Sequence, residues 1–234
     1  MVWLGEQADP NWFPPLEHAL REPPGLLAAG GDLSPTRLLA AYERGVFPWY
    51  SAQQPILWWS PDPRMVLYPK EFNCSRSLAK TLRNGPYATQ VDHAFGAVIR
   101  ACAAPRRSGP DTWLNVDMIA SYERLHELGF GHSIETYDAG QLAGGLYGIQ
   151  LGQVFFGESM FSLHRDASKV AMARLVQECL ARDIQVIDCQ VASDHLASLG
   201  AREVSRSQFV ALLQRYARRS PCGSWRAPAP LRTP

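Results

Sequence analysis

The 234-residue sequence predicts the α+β class: a mixed or antiparallel sheet with helices on both faces, behind a small N-terminal domain. Three features predict it. Residues up to Pro63 are broken by proline, at Phe13-Pro14-Pro15, Glu22-Pro23-Pro24-Gly25, Phe47-Pro48-Trp49 and Ser60-Pro61-Asp62-Pro63, a pattern of turns and extended segments. From Arg64 onward, strand-like and helix-like segments alternate. Within that region the apolar segments 132–137, 141–149 and 153–156 are separated only by Asp138-Ala139-Gly140 and Gln150-Leu151-Gly152, which marks an antiparallel meander.

Taken in order, one helix stands out in the first part. Ser34 is its N-cap, Pro35 its first residue, Leu38, Leu39 and Tyr42 its apolar stripe, and Gly45 its stop. The Ser60–Pro63 turn then divides the chain into a small domain, 1–62, and a larger one, 63–234. The larger domain opens with a strand over 65–68, a helix over 75–83 closed by Gly85, a strand over 87–91 and a helix over 95–103 with Asp92 as its cap. A loop over 104–115 leads to the helix 117–128, with Ile119, Tyr122, Leu125 and Leu128 on one face. The meander follows, then a helix over 167–182, an apolar strand over 184–189, and helices over 194–199 and 206–218. The tail after Arg219 holds four prolines and a tryptophan and is expected to be loose.

A chain of 26.0 kDa buries about 70% of its surface on folding, enough for one core or for one core and a small second domain. No apolar run approaches the roughly 18 residues of a membrane span, and no secretory leader pattern opens the sequence. Cys74, Cys102, Cys179, Cys189 and Cys222 form no C-x-x-C pair, which argues against a disulfide framework and for a reducing cytoplasm. No histidine spacing matches a metal site, and no cofactor is called for. The net charge of +1 divides into −3 over 1–71, +4 over 72–111, −6 over 112–203 and +6 over 204–234. Either this is ordinary surface fluctuation, or a polyanion meets one part of the molecule and a cation another.

Several residues carry possible chemistry, each beside a plainer reading. Trp58 and Trp59 read as core, whereas Trp49 and Trp113 lie in irregular stretches, Trp113 close behind Arg106 and Arg107. Loop aromatics beside arginines suit base stacking. Arg76, Lys80 and Arg83 share one helix face: a solvated stripe, or a set of phosphate contacts. Glu158, in Gly157-Glu158-Ser159-Met160, is a carboxylate among apolar residues. Asp188 and Gln190 end a strand on one face, opposite Ile187 and Cys189, so they either hold and orient an amine or make core hydrogen bonds. Cys189 near His195 raises a Cys–His nucleophile, although a cysteine inside an apolar strand behaves as a small hydrophobe.

These residues resemble the leucyl/phenylalanyl-tRNA–protein transferase family. The resemblance rests on GLLAAGGDLSPTRLLAAYERGVFPWY (25–50), ILWWSPDPR (56–64), SRSLAK (75–80), YERLHELGFGHSIE (122–135), GGLYG (144–148), FGESMFS (156–162), ASK (167–169) and IDCQV with DHLASLGA (187–201). It implies a small N-terminal domain on a GNAT-like acyltransferase domain. It further implies transfer of Leu, Phe or Met from aminoacyl-tRNA to proteins with N-terminal Lys or Arg, marking them for N-degron degradation. By the same resemblance Asp188, Gln190 and Glu158 surround the reacting groups. Leu146, Phe155, Met160 and Ile187 form the aminoacyl pocket, Tyr42, Trp49 and Trp113 lie by the terminal adenosine, and Arg76, Lys80 and Arg83 meet the acceptor stem. Ala79 and Asn84 stand where the family often has further cations, and Leu146 where it can have Met.

Two other functions compete. An acyl-CoA N-acetyltransferase would cradle pyrophosphate on a Gly-containing loop at a helix N-terminus, but Ser162-Leu163-His164-Arg165-Asp166-Ala167 has no glycine and contains an acid. A non-catalytic tRNA-binding module would leave Asp188 and Gln190 merely structural.

Overall fold

The computed structural model describes residues 1–5, 7–105 and 114–225. Proline and glycine break the first sixty residues into short pieces: strand β1 (Val2–Leu4), strand β2 (Leu26–Gly30), helix α1 (Pro35–Glu43), and strands β3 (Phe47–Pro48) and β4 (Leu57–Trp59). The Ser34 hydroxyl caps α1 by accepting the Arg37 N–H, as its sequence predicts. The strands form a four-stranded sheet ordered β1-β2-β4-β3, which the period-2 pattern did not reveal, because β1, β3 and β4 are too short to alternate and every residue of β2 is buried. Trp58 fills its core and donates its indole N–H to the Gly30 carbonyl, 2.9 Å away.

The second sheet has seven strands. Along the chain come β5 (Arg64–Leu67), helix α2 (Arg76–Asn84), β6 (Tyr87–Val91), α3 (Phe95–Ala103), α4 (Val116–Glu127), β7 (Gly131–Asp138), β8 (Gln141–Leu151), β9 (Val154–Ser162), α5 (Ala167–Ala181), β10 (Val186–Gln190), α6 (Asp194–Ser198), β11 (Arg202–Val204) and α7 (Arg206–Tyr216). The order is β11-β5-β10-β9-β8-β7-β6. All neighbours are antiparallel except β9 and β10, so the expected mixed sheet and its meander are present.

Alternate residues feed two cores, one on each face. Val66, Tyr147, Val154, Phe156 and Val186 join α1, α3, α4 and the N-terminal sheet in one cluster. Leu67, Leu146, Phe155 and Ile187 join the apolar face of α5 in the other. The helices therefore lie on both faces of the sheet, and the small sheet shares its core with the large one.

Three local expectations differ from the structure. Asp92 does not cap α3: its carboxylate accepts the Ser133 N–H and pairs with His132 Nδ1, both at 2.8 Å. The N-terminus of α3 is instead served by the buried Glu135, which accepts from the N–H groups of His93 and Ala94 at 3.3 Å. β9 does not stop at Phe156 but continues to Ser162. The tail is not loose as far as Trp225, whose side chain is buried.

Gly148 in β8 permits a close approach that no side chain would allow. A Cβ there would sit 2.5 Å from Phe155 Cε1 and closer still to the Phe156 carbonyl. Gly148→Ala is expected to lower stability by about 1–3 kcal/mol, read as a shifted urea midpoint at unchanged slope. Gly5→Ala, with nothing within 4 Å of the added carbon, should stay within about 0.5 kcal/mol.

Candidate active site

β9 and β10 pair only from Val186↔Val154 to Asp188↔Phe156 and then part. Each strand carries a bulge where they separate. Opposite β8 the register jumps from Gly148↔Gly157 to Tyr147↔Ser159, leaving Glu158 as the extra residue. Opposite β5 it jumps from Asp188↔Val66 to Gln190↔Met65, leaving Cys189. Bulges end pairing and re-aim side chains. Here they open a cavity of about 530 Å³ whose walls include Leu146, Met160, Met172, Leu175 and Ile187, with Glu158, Asp188 and Gln190 among its polar groups and the half-exposed Trp49 among its lining residues.

Glu158 is 8% exposed and belongs to a closed ring. Its Oε1 accepts from Tyr42 Oη, its Oε2 from Tyr122 Oη, and the two phenol oxygens touch each other, all at 2.8 Å. Two hydroxyl protons cannot fill three contacts. The third fills when the carboxyl itself takes a proton, so the ring is built to hold one more proton than its ionised form. Burial raises the Glu158 carboxyl from 4.5 to about 7, the nearby Asp188 charge adding to the rise, against the two tyrosine hydrogen bonds and Arg64, which lower it. Burial, with Glu158 beside them, pushes both tyrosines well above their ordinary value.

Gln190 completes the carboxylate's partners. Its Nε2 donates to Glu158 Oε1 at 2.9 Å, and because a carboxylate oxygen needs a donor, this fixes the amide orientation. The amide oxygen is left as an acceptor. Gln190 sits at φ +63, a left-handed conformation uncommon for a residue other than glycine, and its backbone N–H donates to Asp188 Oδ1 at 2.9 Å.

Asp188 lines the same cavity, with both its oxygens engaged by the protein. It is fully buried and bound bidentately by Arg64, Nε to Oδ1 at 2.8 Å and Nη2 to Oδ2 at 2.6 Å. Arg64 in turn donates to the Gly45 carbonyl and lies against the rings of Phe47 and Phe209, 4.7 and 4.6 Å from their centroids. Asp188 therefore holds the Gln190 backbone from within the cavity wall. Sequence reasoning missed Arg64 and Tyr122 as parts of the site. Arg64 lies in the quoted WWSPDPR stretch, but nothing in its spacing ties it to residue 188.

The other expected residues divide as follows. Leu146, Met160 and Ile187 line the cavity. Phe155 does not: it is fully buried behind the wall, against Trp225. Tyr42 is fully buried and presents its hydroxyl to Glu158, so its ring has no free face to stack on a base. Trp49 is 45% exposed, 5.6 Å from Trp59, while Trp113, Arg106 and Arg107 lie outside the described residues. Arg76, Lys80 and Arg83 are exposed along α2 while Leu78 is buried. No nucleophilic thiol emerges, since burial holds Cys189 well above its ordinary value.

The sequence matches two family models, the leucyl/phenylalanyl-tRNA protein transferase N-terminal domain over residues 31–62 and leucyl/phenylalanyl-tRNA protein transferase over 66–214. It is 55% identical over 216 residues to a protein of Chromobacterium violaceum named leucyl/phenylalanyl-tRNA–protein transferase, covering 92% of this chain and 91% of that one. The chain belongs to the leucyl/phenylalanyl-tRNA–protein transferase family. A second member, from Stutzerimonas stutzeri, is 52% identical over 227 residues, 97% of this chain and 100% of the other. Among solved structures, a GCN5-related N-acetyltransferase from Kribbella flavida aligns over 73% of this chain and 61% of its own at 12% identity, with a TM-score of 0.39. A likeness that slight carries no argument. β3, which holds Phe47 beside Arg64, and β9 and β10, which hold Glu158 and Gln190, fall inside matched segments, while β1, β2 and Arg64 itself lie outside them.

A carboxyl raised in the folded state gives stability that is complete below its ordinary value and lost as pH rises through the folded one. For Glu158 the window runs from 4.5 to about 7, and the loss is about 3 kcal/mol. Glu158→Gln removes that titration. Relative to wild type, the variant should gain stability between pH 5 and 8, as measured by urea unfolding at both pH values. An unchanged difference would mean that Glu158 titrates normally.

Proposed function

We propose that this protein transfers the aminoacyl group of Leu-, Phe- or Met-tRNA to the α-amino group of proteins beginning with Lys or Arg, in the cytoplasm, marking them for N-degron degradation. The observation that carries the reading is the buried Glu158–Tyr42–Tyr122 ring, whose Glu158 lines an apolar cavity, a proton acceptor set beside a side-chain pocket. Residues 1–62 are read as the domain that supplies Tyr42 and Trp49, and 63–234 as the GNAT-like catalytic domain.

The tRNA ester is already activated, so the protein must orient a neutral amine and move one proton. Leu146, Met160 and Ile187 take the aminoacyl side chain. Gln190 accepts a hydrogen bond from the incoming amine through its free amide oxygen. As nitrogen attacks the ester carbonyl, its surplus proton passes to the Glu158 ring, which the third ring contact stabilises. The C–O bond to the terminal ribose then breaks, and the released hydroxyl takes a proton back from the ring. Asp188 positions Gln190 rather than touching the amine. Trp49, with Trp113, serves the terminal adenosine. Arg76, Lys80 and Arg83 meet the acceptor stem as salt-sensitive phosphate contacts. The acyl-CoA reading lacks its phosphate cradle, because Asp166, with its carboxylate, stands at the start of α5.

The test is single-turnover transfer from Leu-tRNA to a peptide beginning with Arg, with acetyl-CoA as the competing donor. Transfer from the tRNA alone is expected, rising with pH through about 7. Glu158→Gln should slow it by roughly 10²–10⁴-fold and flatten that rise, with charged-tRNA affinity kept. Acetylation of the peptide, or no transfer from Leu-tRNA, would overturn the assignment.

A further inference from the structure

The segment 221–225 returns to the face of the sheet that α5 covers and seats one ring in a built receptacle. Trp225 is 5% exposed. Its indole stacks on His132, centroids 4.4 Å apart and planes 13° from parallel, with the Arg182 guanidinium 4.8 Å from the ring. Its N–H donates to Gln150 Oε1. The backbone leading to it is tied as well: Arg182 Nη2 donates to the Ser224 carbonyl at 2.8 Å, and the Cys222 N–H donates to the Arg182 carbonyl at 2.9 Å. An indole held on its ring and at its N–H in a buried setting has little freedom left.

A further neighbour of that ring is Phe155, 5.8 Å away between centroids. Phe155 is fully buried and lies in register beside Ile187 on β10. Its ring edge also fills the place where a side chain at Gly148 would stand on β8. It thus lies on the central strand, between the strands carrying the cavity-wall residues Leu146 and Ile187, and in the same apolar cluster. A close-packed interior transmits such a constraint, because a displaced ring leaves a void that its neighbours fill.

We infer that Trp225 is a positioning residue for recognition of the aminoacyl side chain: it holds Phe155 in place and so sets the width of the pocket between Leu146 and Ile187. The inference rests on the reading of the cavity as the aminoacyl pocket. It assigns the C-terminal segment a part in substrate choice although no residue of 221–225 lines the cavity.

The experiment compares transfer of Leu and of Phe, each from its own tRNA, to an Arg-initiated peptide under single-turnover conditions. Trp225→Ala lets Phe155 relax outward and widens the pocket, so the Phe-to-Leu rate ratio should rise by about fivefold or more, within the range by which a pocket distinguishes side chains of different size. Trp225→Phe keeps a ring on His132 and should bring the ratio back to within about twofold of wild type. Gln150→Ala, which removes the indole's acceptor together with a hydrogen bond to the Gly152 carbonyl but keeps the indole itself, should move it in the same direction by less. Leu38→Ala, in the opposite core, lowers stability without touching Phe155 and should leave the ratio alone. A Trp225→Ala ratio within about twofold of wild type, or an equal shift in Leu38→Ala, overturns the inference while leaving transfer itself standing. Failure of wild-type protein to transfer either amino acid overturns the functional reading on which it rests.

Discussion

The site depends on one buried ion pair. Taking Arg64 and Asp188 out of water costs several kcal/mol per ion, and their attraction offsets this only if the geometry is complete. Here it is complete. Both carboxylate oxygens are bound by the guanidinium, its remaining N–H group reaches the Gly45 carbonyl, and Phe47 and Phe209 cover it. The partners come from five places: the turn after α1, strand β3, strand β5, strand β10 and helix α7. One charge pair thus ties the small sheet, the large sheet and the last helix together beneath the cavity.

Position passes from that pair to the reacting region in two steps. Asp188 Oδ1 holds the Gln190 N–H just past the bulge, where the chain turns left-handed. Gln190 then gives its amide N–H to Glu158. The same pair also sets the electrostatics, since the Asp188 charge raises the Glu158 carboxyl while Arg64 lowers it. Removing either ion would change both where Glu158 sits and when it ionises. The bulges at Glu158 and Cys189 give this arrangement its opening, because two parallel strands that stayed paired would leave no cavity between them.

The sequence made the α+β class, the meander and most of the helices legible, since these rest on periodicity and on caps such as Ser34. It also made Glu158 and Gln190 stand out, a carboxylate and an amide set at the ends of apolar runs. What it hid has physical reasons. Strict alternation puts Asp188 and Gln190 side by side, but the extra residue at Cys189 breaks alternation, and a bulge leaves no period-2 signature. Phe155 reads as a pocket residue because it is apolar and adjacent, whereas the tail that lies behind it is visible only in three dimensions. Tyr42 belongs to a motif of the family, yet its hydroxyl meets Glu158 and Tyr122, eighty residues or more away, only in three dimensions.

The central claim is that Asp188 works through Gln190 and not on the substrate. A double-mutant cycle on the single-turnover transfer rate tests it directly, using Asp188→Asn, Gln190→Ala and the two combined. It should be run at about pH 8.5, above the Glu158 value of about 7, so that the carboxylate is ionised throughout. If Asp188 acts only by holding Gln190, the double variant is no slower than the slower single variant, a strongly non-additive result for residues in one network. If the two losses multiply, Asp188 makes its own contact with the reacting groups, and the account of a buried pair positioning the amide is contradicted.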